Sequence, residues 1–167
     1  MSTIGLALAD KKITLKNNKI VILKLVDTEG QEKYRALTKS YYKNAEGVLF
    51  VFAHDDKESF ENIEKWLELF DENINNKDIP KFLIGNKNDL EKFEEKEESF
   101  NDFSNKHNIS RYISTSAKDN VNITDIFQEM ANLIALKFNK LGKQKNKKLK
   151  KLKAKKPSKC FICNSDL

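Results

Sequence analysis

Two short, uninterrupted apolar runs constrain this chain most: Gly47-Val48-Leu49-Phe50-Val51-Phe52 and Phe82-Leu83-Ile84-Gly85. A strand without polar alternation has no face to offer water, so both read as strands covered on two sides, as in a parallel sheet layered with helices. Between them Phe60, Ile63, Leu67 and Phe70 recur at helical spacing, with acids on the other face, Asp56 placed as the cap and Trp66 expected in the core. A third run, Ile20 to Val26, follows a weakly alternating segment across Asn17-Asn18-Lys19 and predicts a β-hairpin, with Lys24 turned to solvent. Arg111 to Thr115 reads as the last strand. Ile126, Met130, Leu133, Ile134 and Phe138 then form the stripe of a final helix capped by Asn122, with Asp125 in its first turn. The acidic stretch from Glu91 to Glu98 reads as a solvated helix face, and Phe93, Phe100 and Phe103 give it some burial.

Length and charge narrow the class. A chain of 167 residues suits one domain with a real core. No apolar run is long enough to span a bilayer, and the N-terminus lacks the pattern of a secretory signal. Both cysteines fall near the C-terminus, so they cannot staple the fold, and a reducing, cytoplasmic setting is expected. Residues 1–136 hold 19 Lys and Arg against 24 Asp and Glu, a net of −5, whereas residues 137–159 hold 12 Lys and no acid. Nucleic-acid binding by the folded part is therefore not expected, while the Lys-rich run suits an anionic membrane surface. Periodicity is lost after Gly142, which sets the expected boundary between a folded domain, 1–141, and a disordered tail, 142–167.

The polar residues cluster where strands end. Asp27-Thr28-Glu29-Gly30-Gln31-Glu32 follows the third apolar run. A carboxylate at Asp27 can hold a metal through water, Gly30 lets a backbone N–H approach a phosphate, and Gln31 can orient an attacking water. Asn86-Lys87-Asn88-Asp89 follows another strand. The Asp89 carboxylate can accept two hydrogen bonds from the ring N–H and exocyclic amine of guanine, a donor pair that adenine lacks. The Lys87 stem can lie along a purine face, and Asn86 can bridge the base and neighbouring loops.

Together with Thr115-Ser116-Ala117-Lys118, and with the stretch from Arg35 to Gly47, these motifs resemble the Rab branch of the Ras superfamily of small GTP-binding proteins, over roughly residues 2–139. The resemblance implies an α/β, P-loop NTPase-like fold: an open, mostly parallel sheet with helices on both faces and ligands at the carboxyl ends of the strands. It implies GTP or GDP with Mg2+, and Thr3 (in Ser2-Thr3-Ile4-Gly5) and Asp27 at the metal. Gln31 would be the catalytic residue. Gly30, Asn86, Lys87, Asp89, Ser116, Ala117 and Lys118 would hold the nucleotide, with the Ala117 N–H on the guanine oxygen and Lys118 over the base. It further implies effector and regulator proteins binding near residues 2–9 and 29–46, and a switch in vesicle traffic on the cytosolic face of endomembranes.

This sequence departs from the family pattern in several places. It contains no Gly-x-x-x-x-Gly-Lys-Ser/Thr. In the family that segment includes a central strand between the one ending at Asp27 and the one at Val48 to Phe52, so the first central strand and first helix are expected to be missing. Each unpaired buried backbone group would cost about 1–3 kcal/mol. Either those two strands pair directly or the chain belongs to a longer protein, and the sequence favours the latter. Glu29 stands where the family has Ala and would repel a terminal phosphate; Val26 stands where the family has Trp, altering an effector surface. Such losses suit an alternative, a pseudo-GTPase interaction module. His54 has no second His or Cys near it in sequence and reads as structural or exposed. Cys160-Phe161-Ile162-Cys163 suits either prenylation or two free thiols, since one Cys-x-x-Cys supplies too few ligands for zinc.

Overall fold

The computed structural model describes residues 7–28, 42–91, 93–94, 96–145 and 158–164. Strands β1 (Ala7–Thr14) and β2 (Ile20–Thr28) form the predicted hairpin, with Ala7 opposite Asp27 and Thr14 opposite Ile20. Its turn needs a left-handed residue, and Asn18 provides it at φ 61°, an angle that Asn tolerates better than most side chains. Lys24 pairs with Asp10 at 3.6 Å on the solvent side.

The apolar runs become β3 (Gly47–Ala53) and β4 (Lys81–Asn86), joined by α1 (Lys57–Glu61) and α2 (Ile63–Asn73). The single helix expected there is divided at Asn62, and Asp56 caps α1 by accepting from the Ser59 N–H. The acidic stretch is helical only from Glu97, where α3 (Glu97–Lys106) begins. Then come β5 (Arg111–Ser114), α4 (Ile123–Lys145) and β6 (Ser158–Asn164).

These strands make one sheet in the order β1-β2-β6-β3-β4-β5, parallel throughout except for the β1–β2 pair. The gap expected between β2 and β3 is filled, and the two do not pair with each other. Segment 158–164 of the tail lies in it, hydrogen-bonded to both. The expectation of a tail without structure therefore fails for that segment, and α4 continues past the expected boundary to Lys145. The physical reason is the open pair of backbone edges: a short apolar segment, Cys160-Phe161-Ile162-Cys163, satisfies them at less cost than leaving them bare.

Each face of the sheet has its own core. On one, Val26, Val48, Phe50 and Phe52 pack with Ile63, Leu67 and Phe70 of α2 and Phe100 of α3. Tyr42, fully buried, meets Phe70 edge-on at 5.3 Å, and Trp66 is only half-buried against this cluster. Val26 thus belongs to the core rather than to an exposed surface. On the other face Leu23, Leu49, Phe82 and Ile84 pack with Ile126, Met130 and Ile134 of α4. Helix α4 comes so close that a Cβ on Gly47 would lie 2.5 Å from the Met130 sulfur. Phe138, expected in the α4 stripe, is instead 42% exposed.

Candidate functional site

Parallel strands deliver their loops to one edge, and the carboxyl ends of β4 and β5 sit side by side there, with Gly85 opposite Ser114. Backbone bonds then tie the two following loops together. The Thr115 N–H donates to the Gly85 carbonyl at 2.7 Å and the Asn88 N–H to the Thr115 carbonyl at 2.9 Å. Lys87 takes φ 60°, a left-handed turn that costs a non-glycine residue about 1–2 kcal/mol. Its ammonium group pairs with Asp55 at 3.3 Å, an anchor supplied by the loop after β3.

Side chains complete the link. Asn86 Oδ1 accepts from the Ala117 N–H at 3.0 Å and from Thr115 Oγ1 at 3.2 Å. Ser116, fully buried, donates to Asp89 Oδ1 at 2.7 Å and accepts from the Asp119 N–H at 3.0 Å. Lys118 reaches Asp89 Oδ2 at 3.5 Å from an exposed position. The Ser116 hydrogen bond first, then a backbone hydrogen bond and the Lys118 charge, hold the Asp89 carboxyl below the usual carboxylate range. Asn86, Lys87, Asp89, Ser116, Ala117 and Lys118 are thus brought into one cluster. A carboxylate offers about four lone-pair sites, so Asp89 retains capacity for two N–H donors on one molecular edge. The Ala117 N–H is already bonded to Asn86, so a guanine oxygen would share or displace that bond.

Beneath the cluster lies His54, read from the sequence as structural or exposed. His54 is 3% exposed, not at the surface, and its Nε2 is 3.0 Å from the Tyr112 hydroxyl and 3.2 Å from Ser114 Oγ. Asn88 Nδ2 donates to the same Ser114 oxygen at 3.4 Å. The His54 N–H donates to the Asn86 carbonyl, so the residue braces the β4 end by backbone and side chain. Burial pushes the Tyr112 hydroxyl up to about 12. Asn122 stands just before α4 as expected of a cap, its carbonyl accepting from the Ile126 N–H at 3.1 Å, and its side-chain amide donates to the Ser114 carbonyl at 2.8 Å, closing the back of the second loop. The sequence offered no reading of Asp55, and for Asn122 only that of a cap; their pairing depends on which strands are neighbours.

Asp27 stands apart from this cluster, at the carboxyl end of β2 and opposite Ile162 of β6. Partial burial raises its carboxyl above the usual range. A divalent cation would relieve that cost, and Mg2+ characteristically takes one or two carboxylates with phosphate oxygens and water. Asp27 suits such a shared site; among the described residues there is no group of three or more His, Cys, Asp or Glu that could hold a metal by itself. Thr3, Gly30 and Gln31 lie outside the described residues, as does Glu29. The base side of a nucleotide therefore fits the residues present. The phosphate side lacks the expected loop motif in this sequence.

The Ras family model matches residues 1–136. The chain belongs to the Ras family, within its Rab branch. It is 42% identical to Ras-related protein Rab-11B of Dictyostelium discoideum over 135 residues, 80% of this chain and 60% of that protein. It is 38% identical to Ras-related protein Rab-10 of Diplobatis ommata, over 82% of this chain and 68% of the relative. Against Ras-related protein Rab-13 of Bos taurus the identity is 35%, over 82% and 66%. The match thus spans about two thirds of the length of these relatives or somewhat less.

Proposed function

We infer that this chain reads guanine as part of a Rab-like guanine-nucleotide switch in membrane traffic. The observation that carries this reading is the single network joining Asn86 and Asp89 after β4 to Ser116, Ala117 and Lys118 after β5. It presents a carboxylate, held ionised by Ser116 and Lys118, beside a shared backbone N–H. That pattern complements the two donors and one acceptor on a guanine edge. Asp27, with Thr3, would hold Mg2+ when a nucleotide is bound; the ion would neutralise phosphate charge there. Gly30 would meet the phosphates, and Gln31 is the candidate for orienting a hydrolytic water. Effectors and regulators would meet residues 2–9 and 29–46, of which Leu8 is 66% exposed on β1. The Lys-rich segment would hold the protein to the cytosolic face of an anionic membrane.

The test is a titration of the chain with GDP, GTP and ADP, followed by calorimetry, for the native sequence and for Asp89→Ala. Two hydrogen bonds to a charged acceptor are worth about 1.5 kcal/mol each at the low end, so guanine should be preferred over adenine by about 100-fold in Kd. Asp89→Ala should remove that preference. Equal affinity for GDP and ADP would reject base recognition, and absence of measurable binding to any nucleotide would favour an interaction module that has left nucleotide chemistry.

A further inference from the structure

His54 is a polar ring set among aromatic ones. Its centroid lies 5.3 Å from that of Phe52 and 5.7 Å from that of Phe100, both in edge-on contact. On another side it lies over Gly85, where an added Cβ would fall 2.5 Å from Nε2. An apolar side chain would fill such a space with no partner to find, whereas a buried imidazole needs hydrogen bonds to offset its lost hydration. Two hydroxyls meet Nε2, that of Tyr112 at 3.0 Å and that of Ser114 at 3.2 Å.

The bonds around His54 divide by what they depend on. Its backbone N–H donates to the Asn86 carbonyl at 2.8 Å, and its carbonyl accepts from the Phe93 N–H at 2.9 Å. The loop that carries Lys87, Asn88 and Asp89 is thus tied to His54 on both sides. Any residue at position 54 except proline makes those two bonds. The middle of the loop is held by side chains. Asn88 Nδ2 donates at 3.4 Å to Ser114 Oγ, the same oxygen that meets His54 Nε2. Asn88 follows the left-handed turn at Lys87 and directly precedes Asp89, whose Oδ1 accepts from Ser116 Oγ at 2.7 Å. A path of side chains therefore runs from His54 through Ser114 to Asn88, one peptide short of the base-reading carboxylate.

We propose that His54 is a positioning residue for selectivity among purines: through Ser114 and Asn88 it holds the Asp89 carboxylate in the orientation that accepts both donors of a guanine edge. The proposal rests on guanine recognition by Asp89 and deepens it. The ring N–H and the exocyclic amine of guanine are parallel neighbours, so both bonds form only when the carboxylate plane is aligned with the base edge. Ser116 fixes one carboxylate oxygen and leaves rotation about that bond. The Asn88 link removes the remaining freedom by fixing the backbone from which Asp89 projects. A loop tied only at its two ends keeps the first bond to the base and loses the alignment of the second. Hypoxanthine has the ring N–H and lacks the exocyclic amine, so the ratio of guanine to hypoxanthine affinity reads that second bond.

The experiment is calorimetric titration of the full chain with GDP, ADP and inosine diphosphate, whose base is hypoxanthine. The native chain should prefer GDP to inosine diphosphate by about tenfold, as one hydrogen bond to a charged acceptor provides. His54→Leu, which keeps both backbone bonds and removes Nε2, should lower that preference to about threefold or less, and Ser114→Ala should do the same. His54→Gln returns a polar atom near the Nε2 position and should recover a preference within about twofold of the native value. A side chain that only packs would shift the unfolding midpoint in His54→Leu and leave the ratio as it was, because global unfolding weakens both nucleotides equally. An unchanged ratio in His54→Leu (or in Ser114→Ala, should the first variant not fold) would overturn the proposal. So would a ratio in His54→Gln as low as in His54→Leu, or equal native affinity for GDP and inosine diphosphate. A native chain that binds GDP no better than ADP, or binds neither, would overturn guanine recognition and this proposal together.

Discussion

At the residue scale, two groups near the candidate pocket should titrate away from their ordinary ranges, in opposite directions for stability. The Asp89 carboxyl is held low by Ser116, then by a backbone hydrogen bond and Lys118, so the folded chain binds its proton less readily than the unfolded chain. Its contribution is present above pH 3.8 and lost as pH falls through the folded value, which lies lower. Ser116→Ala should return that titration towards 3.8, read by NMR of the Asp89 carboxyl; an unchanged midpoint would assign the shift to the backbone hydrogen bond and Lys118 instead. Tyr112 is the reverse case. Its hydroxyl is pushed up from 10 to about 12 by burial, so the unfolded chain loses the proton first. Stability is present below pH 10 and falls as pH rises towards 12. Tyr112→Phe abolishes that alkaline loss but leaves His54 without its phenolic partner, at a cost of about 1–3 kcal/mol near neutrality. Urea unfolding at pH 8 and pH 11 should therefore show the variant weaker than the native chain at pH 8, with the difference shrinking at pH 11. A constant difference would remove Tyr112 ionisation from the account.

At the scale of elements, β4 and its loop are the part most sensitive to a single added methyl group. A Cβ on Gly85 would lie 2.5 Å from His54 Nε2 and 2.9 Å from Phe52 Cζ. Gly85→Ala must move the imidazole that bonds Tyr112 and Ser114 behind the β4 end, at a cost of about 1–3 kcal/mol by overpacking. Guanine affinity should fall with stability, whereas Asp56→Ala, which removes the α1 cap in the loop after β3, should cost about 1 kcal/mol and leave that affinity unchanged. Denaturant midpoints and GDP titrations on the two variants separate the effects. Loss of affinity in Asp56→Ala would mean that the pocket senses α1. The contrast also shows what the sequence can tell. The caps, the hairpin, both buried strands and the clustering of Asn86, Asp89 and Ser116 were legible because each is set by local spacing or by a loop at a strand end. The partners of His54 were not, since Tyr112 and Ser114 come from β5, 58 and 60 residues away. Nor was β6: Cys160-Phe161-Ile162-Cys163 is too short to declare itself, and only the open backbone of β2 and β3 makes it a strand.

At the scale of the whole molecule, charge is divided between the folded region and the connection to β6. Residues 1–136 carry a net −5, and residues 137–159 carry 12 Lys without an acid. Among the described residues no helix is long and apolar enough to cross a membrane. Charge alone gives a specific expectation. A lysine near an anionic leaflet is worth about 1 kcal/mol, and the seven lysines of residues 146–157 lie between two elements that contact the sheet. The acidic domain opposes close approach, so part of that attraction is offset, and what remains must be sensitive to screening. Raising salt from about 0.1 M to about 1 M shortens the screening distance from about 10 Å to about 3 Å. Binding of the unmodified chain to vesicles containing phosphatidylserine should weaken at least tenfold over that range, and neutral vesicles should bind little at either salt. Replacing Lys147, Lys148, Lys150 and Lys151 by Gln should remove most of the salt dependence without moving the unfolding midpoint. Salt-independent binding, or equal binding to neutral vesicles, would assign membrane contact to apolar residues such as Leu8, Ile20 and Ile22, which are exposed on the β1–β2 hairpin.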